Sequence, residues 1–220
     1  MNNAKCIVKW FNDNGLLLEN SFNGNLRVNK LLVFAQLISL AKYDKLLYKE
    51  EMYAFKHGLV VEEIRQSYKN NYVSFKNSLM DLECNFTDEE LDVLNTTNHI
   101  FGKLNANILS DLTHEFQFWK NNYNRSNING YKDKELAKVN LFSLSKEYTD
   151  DFNKLQLLIK TSEDQYNDDM VSLEIKGTTF YYNPKETALD ESLIKELEQF
   201  PAEDNSYSFY LDINQGLVIY

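Results

Sequence analysis

The segment that most limits what this chain can become is Val28 to Ala41. Leu31, Leu32, Val33, Phe34, Ala35, Leu37, Ile38 and Leu40 leave almost no polar side on a helical wheel. A helix of that kind must be covered on every side, so it belongs at the centre of a domain. With Gln36 and Ser39 inside it, the run is far short of the roughly 20 apolar residues a membrane span requires. The chain has 220 residues, enough for one generous domain, or for a domain with an appendage, around such a helix.

Other helices follow from periodicity. Residues 3–13 place Cys6, Ile7, Trp10 and Phe11 on one face, and Asn14-Gly15 supplies a stop. Residues 46–59 are less regular, an aromatic-rich run that ends on a flexible Gly58. Val61 to Asn70 resumes helical spacing through Ile64 and Tyr68. Thr87-Asp88-Glu89-Glu90 is a capping box, in which hydroxyl and carboxylate each accept an exposed amide at a helix start. Leu91, Leu94, Ile100, Phe101 and Leu104 continue that stripe. A further helix is predicted from about Asn107 through Trp119, burying Leu109, Leu112, Phe116 and Trp119. A polar loop is expected over Asn121 to Gly130. Glu135 to Lys160 reads as one helix, or two with a break near Ser143-Leu144-Ser145.

After residue 160 the period changes. Val171, Leu173 and Ile175 alternate with polar residues, Gly177 turns, and Thr178 to Tyr182 is β-branched and aromatic, which is a hairpin signature. A short helix over Asp190 to Glu198 follows. A second strand pair, Ser206 to Leu211 and Leu217 to Tyr220, surrounds Asn214-Gln215-Gly216. The expected architecture is mainly α: a compact helical domain over residues 1–160, with a small acidic β-rich appendage over 161–220 that packs on it. Charge divides at the same place. Residues 1–160 carry 20 basic and 20 acidic side chains, whereas residues 161–220 carry 3 against 13. No Lys/Arg stripe exists to track phosphates, so direct nucleic-acid binding is not expected. An acidic face can instead steer a basic protein, or serve only as a solvated surface.

Little in the chain suggests catalysis. The histidines at 57, 99 and 114 stand apart, and His114-Glu115 lacks the second His of a zinc-protease helix, Phe118 standing in its place. No Gly-rich phosphate loop or nucleophile elbow is present, and no metal or cofactor is expected. Cys6 and Cys84 are too few for a disulfide scaffold, so a reducing compartment, the cytoplasm, is expected. Thr113 and His114 are expected to form a buried polar contact that pins helices together.

Three stretches, in this order, resemble the Panacea domain, a SocA-like antitoxin family that includes phage-associated proteins. Lys30 to Gln36 stands for its K-L-L-Y-F-A-Q helix, with Val33 for Tyr. Ala54 to Val60 stands for A-W-K-x-G-P-V, with Phe55 for Trp and Leu59 for Pro. Leu109 to Lys120 stands for L-x-x-L-T-H-E-x-x-x-W-K. The resemblance covers roughly residues 5–140. It implies a helical antitoxin domain that neutralises a cognate toxin by direct binding, with no catalytic residues to carry over. Its motif positions here are Lys30, Gln36, His57, Gly58, Thr113, His114, Glu115 and Trp119, all expected to be structural. Two rivals stay open: a phage-encoded inhibitor of a host protein, and an adaptor delivering a client to a protease. Tyr181, Tyr207 and Tyr210 are the expected partner contacts, since Tyr serves well as an interface anchor.

Overall fold

A computed structural model describes residues 2–128, 131–168, 170–202, 204–212 and 216–220. The chain divides into two compact units, Met1–Ile159 and Lys160–Tyr220.

The first unit is built around α2 (Phe22–Tyr43), in which Val28 to Leu40 is buried on all sides. Ser21 caps its start by accepting from the Gly24 amide, and Asp44 ends it in the left-handed conformation, φ 51°. The surrounding elements are α1 (Ala4–Asp13), α3 (Glu62–Asn70), α4 (Tyr72–Met80), α5 (Asp88–Phe101), α6 (Ala106–Glu115) and α7 (Gln117–Ser126). The capping box forms at Thr87 and Glu90, and α5 lies along α2, with Phe34 and Phe101 stacked at 3.9 Å. Such a ring pair adds about 0.5–1.5 kcal/mol beyond its buried area. Asp92 fastens the far end, accepting from Lys42 at 2.7 Å and from the Tyr43 hydroxyl at 2.7 Å.

Four expectations are corrected. The irregular run at 46–59 contains a β-hairpin, β1 (Met52–Phe55) with β2 (Gly58–Val61). Both strands are buried on both faces, so they lack the alternation that betrays a half-exposed strand. The helix expected from Asn107 to Trp119 breaks at Phe116, whose backbone is extended (φ −66°, ψ 129°), and α7 then runs on to Ser126 through the expected loop. The amide of Phe118 at the new start donates to the buried carboxylate of Asp151 at 3.1 Å, a cap supplied from 33 residues away. Residues 135–143 are not helical. Ala137 and Val139 instead exchange main-chain hydrogen bonds with Ala54 and Met52, extending the hairpin sideways. Regular helix returns with α8 (Leu144–Glu147) and α9 (Thr149–Asp168), after the short pair β3 (Asn127–Ile128) and β4 (Tyr131–Lys132). Asn129-Gly130, the end of the expected loop, lies outside the described residues.

The fourth correction concerns the cysteines. Cys6 on α1 and Cys84, between α4 and α5, are joined as a disulfide, with 5.7 Å between their Cα atoms. Two isolated cysteines 78 positions apart are brought together only because α1 packs against α4 and α5.

Among its described residues the second unit holds the end of α9, a four-stranded sheet and one further helix. Strand order is β5 (Val171–Ile175), β6 (Thr178–Tyr182), β7 (Ser206–Asp212), β8 (Gly216–Ile219), and α10 (Glu191–Gln199) lies in the crossover between β6 and β7. Both hairpins occur where alternation places them, and Lys176-Gly177 makes the first turn with positive φ at both residues. The turn expected at Asn214-Gln215 lies outside the described residues. The parallel pairing of β6 with β7 was not foreseen; it follows from inserting a helix between them, since a parallel neighbour requires a crossover connection. Leu193 and Leu197 of α10 close a small core with Ile175, Phe180 and Phe209.

Crosslinking residues 78 apart removes unfolded-state entropy equivalent to about 4.5 kcal/mol. The double variant Cys6→Ser/Cys84→Ser should lose stability of that order in urea unfolding. Reductant should shift the wild-type midpoint toward the variant and leave the variant's unchanged.

Candidate functional site

Six of the eight motif positions converge on one feature, the turn between β1 and β2. Lys30 lies within α2 with no exposed surface, and its ammonium donates to the carbonyls of His57 (2.5 Å) and Leu59 (2.8 Å). From α6, the Ser110 hydroxyl donates to the same His57 carbonyl at 2.9 Å, and His114 is hydrogen-bonded to the main chain of Lys56. From α7, the Trp119 indole donates to the Phe55 carbonyl at 3.0 Å. The main chain at Phe55, Lys56, His57 and Leu59 is thus held by side chains from three helices.

Gly58 sits at the centre with φ +87°. A Cβ there would lie 2.0 Å from the Thr113 hydroxyl and 2.4 Å from the Lys30 nitrogen. The expected flexible glycine is therefore a fixed one, needed both for its left-handed backbone and for its missing side chain. The Thr113–His114 expectation also changes. Thr113 is buried but bonds to Ser110 of its own helix at 2.7 Å, and its contribution is to fill space against Gly58. His114 alone reaches across. Its ring lies 4.1 Å from that of Trp119, which stacks on Tyr123 in turn, and its Nε2 is buried without a partner. Burial, aided by the nearby Lys30 charge, lowers its pKa and favours the neutral imidazole.

Gln36 stands elsewhere on α2. Its amide oxygen accepts from the backbone of Leu47 and Tyr48, holding the chain that leads into the hairpin. Glu115 is exposed, and its main-chain oxygen accepts from Lys120 at 3.3 Å. Sequence reasoning missed Asn29, whose carboxamide accepts from the Val61 amide at 3.0 Å, and Ser110. A signal for Ser110 existed, because Ser110, Thr113 and His114 share one face at i, i+3, i+4.

With its carbonyls occupied, the turn is a rigid support, and what it offers to solvent is side chains. Lys56 and His57 are exposed, and Phe22 meets the His57 ring edge-on at 5.5 Å while itself 65% exposed. Among the described residues no group of three or more His, Cys, Asp or Glu is placed to hold a metal ion, and no helix is long and apolar enough to cross a membrane.

In the second unit, Tyr181 and Tyr210 lie on the sheet face away from α10 and are exposed; Tyr220 meets Tyr210 at 6.1 Å. Tyr207 faces the other way. It packs against Phe180 and Phe200, half-buried against the small core, and its hydroxyl accepts from the Asp204 amide at 2.7 Å.

Residues 28–120 match the family described as antitoxin SocA-like, Panacea domain. No curated protein and no solved structure matches the chain.

Burial lowers the Lys30 pKa to about 7. Below pH 7 folded and unfolded chains both hold this proton, whereas between 7 and the ordinary 10.5 only the unfolded chain does. This group therefore makes stability rise with pH across that window, by up to about 1.4 kcal/mol per unit. Urea midpoints measured at pH 6.5 and 9 should show that rise in the wild type and a flatter profile in Lys30→Met. Gly58→Ala should cost about 3 kcal/mol or more, from positive φ plus collision with Thr113 and Lys30, seen as a lowered unfolding midpoint.

Proposed function

With a Panacea-type segment at residues 28–120 as the premise, we propose that this protein is an antitoxin that sequesters a cognate protein toxin by direct binding. The observation that carries the reading is the family match itself. The cradle geometry supports it: the side chains at the family's motif positions are spent on holding a turn, an arrangement suited to presenting a surface. The protein does its work without chemistry of its own and acts in the cytoplasm.

Tyr181 and Tyr210 are the contacts we assign to the second unit. Each presents an aromatic ring on a sheet face whose surrounding sequence is strongly acidic, which favours a basic partner.

Co-expression with the protein encoded beside it, read by growth and by pull-down, tests this. A toxic neighbour, rescued growth and a stoichiometric complex are expected. A neighbour without toxicity, or rescue without a complex, would refute direct sequestration. In the same assay Tyr181→Ser/Tyr210→Ser should weaken the complex about tenfold or more while circular dichroism stays unchanged.

A further inference from the structure

A sheet of four strands spaced about 4.8 Å apart is wider than one helix of about 10 Å diameter can cover. Among the described residues of the second unit, α10 packs on this face, its buried Leu193 and Leu197 against Ile175, Phe180 and Phe209 of β5, β6 and β7. Leu217 and Ile219 of the outer strand β8 pack against this core but stay only partly buried. A groove of about 440 Å³ there is lined by Leu217, Ile219, Phe200 and, from α10, Glu196 and Gln199. Leu211, paired with Leu217 and so on the same face, is 45% exposed. A partly exposed apolar strip beside α10, on the inner face of the sheet, is a seat that a second helix would fill.

The charge around it says which helix. Residues 161–220 carry 13 acidic against 3 basic side chains, and Glu196 stands on the groove wall itself. We infer that the groove beside α10 receives an amphipathic helix of a protein partner, its apolar stripe on Leu217 and Ile219 and its flanking Lys or Arg residues toward Glu196. The inference deepens the sequestration reading by naming the element through which the partner docks. Its test requires no toxin, so either can fail without the other.

The probe is a fluorescein-labelled designed peptide of about 18 residues, with Leu at i, i+3, i+4, i+7 spacing and Lys elsewhere. It is titrated by anisotropy into the full chain at physiological salt. Binding is expected, with little or none for a scrambled Leu/Lys peptide or for the version carrying Glu in place of Lys. Leu217→Asp should weaken binding about tenfold or more, as loss of a buried anchor does. Because that change could unfold the small sheet, Glu196→Lys, at an exposed helical position, supplies the second arm. It should weaken binding several-fold with circular dichroism unchanged. Equal binding of the scrambled peptide would reduce the effect to bulk charge attraction and overturn the proposal. So would wild-type affinity in Glu196→Lys and Leu217→Asp alike, or self-association of the chain that Leu217→Asp abolishes, which would give the groove to a second copy.

Discussion

A buried ammonium ion cannot remain in a protein interior without acceptors, because desolvation of the charge costs several kcal/mol. Lys30 meets that demand with the carbonyls of His57 and Leu59. In doing so it ties the central helix to the tip of a hairpin that lies 27 and 29 residues further on. The neighbouring constraints follow from this contact. The hairpin must turn close enough for the bond to form, which leaves no room for a Cβ at Gly58 and sets Thr113 against it. The main chain of Lys56 and the Phe55 carbonyl are then satisfied by His114 of α6 and Trp119 of α7, while Ser110 of α6 gives the His57 carbonyl a second donor. Orphaned buried acceptors would otherwise cost about 1–3 kcal/mol each.

The same device recurs along α2. Asn29, Lys30 and Gln36 interrupt an otherwise apolar helix, and each is spent on backbone groups of the segment from Leu47 to Val61. The hairpin is short, and two strands of four residues have little stability alone. It persists because a helix supplies hydrogen bonds on one side and residues 137–139 extend it on the other. A surface carried on such a support keeps its shape before any partner arrives, which lowers the ordering cost of binding. That is the physical sense in which motif residues with no exposed chemistry serve the proposed binding function.

The second unit is arranged on different terms. Its core is small, one helix against one sheet, and both faces of that sheet carry apolar or aromatic surface beyond what the helix covers. Tyr181 and Tyr210 stand on one face, and the strip at Leu217 and Ile219 on the other. Contiguous apolar surface on a folded domain marks an interaction site more often than a defect, and an excess of acidic side chains attracts cationic molecules in general.

How much of this could be read from the chain depends on the distance over which each signal acts. The all-round apolar run made α2 central, the Thr87–Glu90 box started α5, and alternation at 171–176, β-branched and aromatic content at 178–182 and turn residues placed β5 to β8; in each case the determining residues are adjacent or one turn apart. What escaped were features whose cause lies far away in sequence. The break at Phe116 has no local capping residue, because its cap is Asp151. The strands at 52–61 do not alternate, because α2 and the flanking segment bury both faces. The disulfide, the fixed role of Gly58 and the inward turn of Tyr207 likewise depend on partners that only packing brings within reach. Periodicity and capping are local free energies written in the sequence itself. Burial on two sides, long-range caps and the fit of a missing Cβ exist only once the chain has closed on itself, and those decided the candidate site.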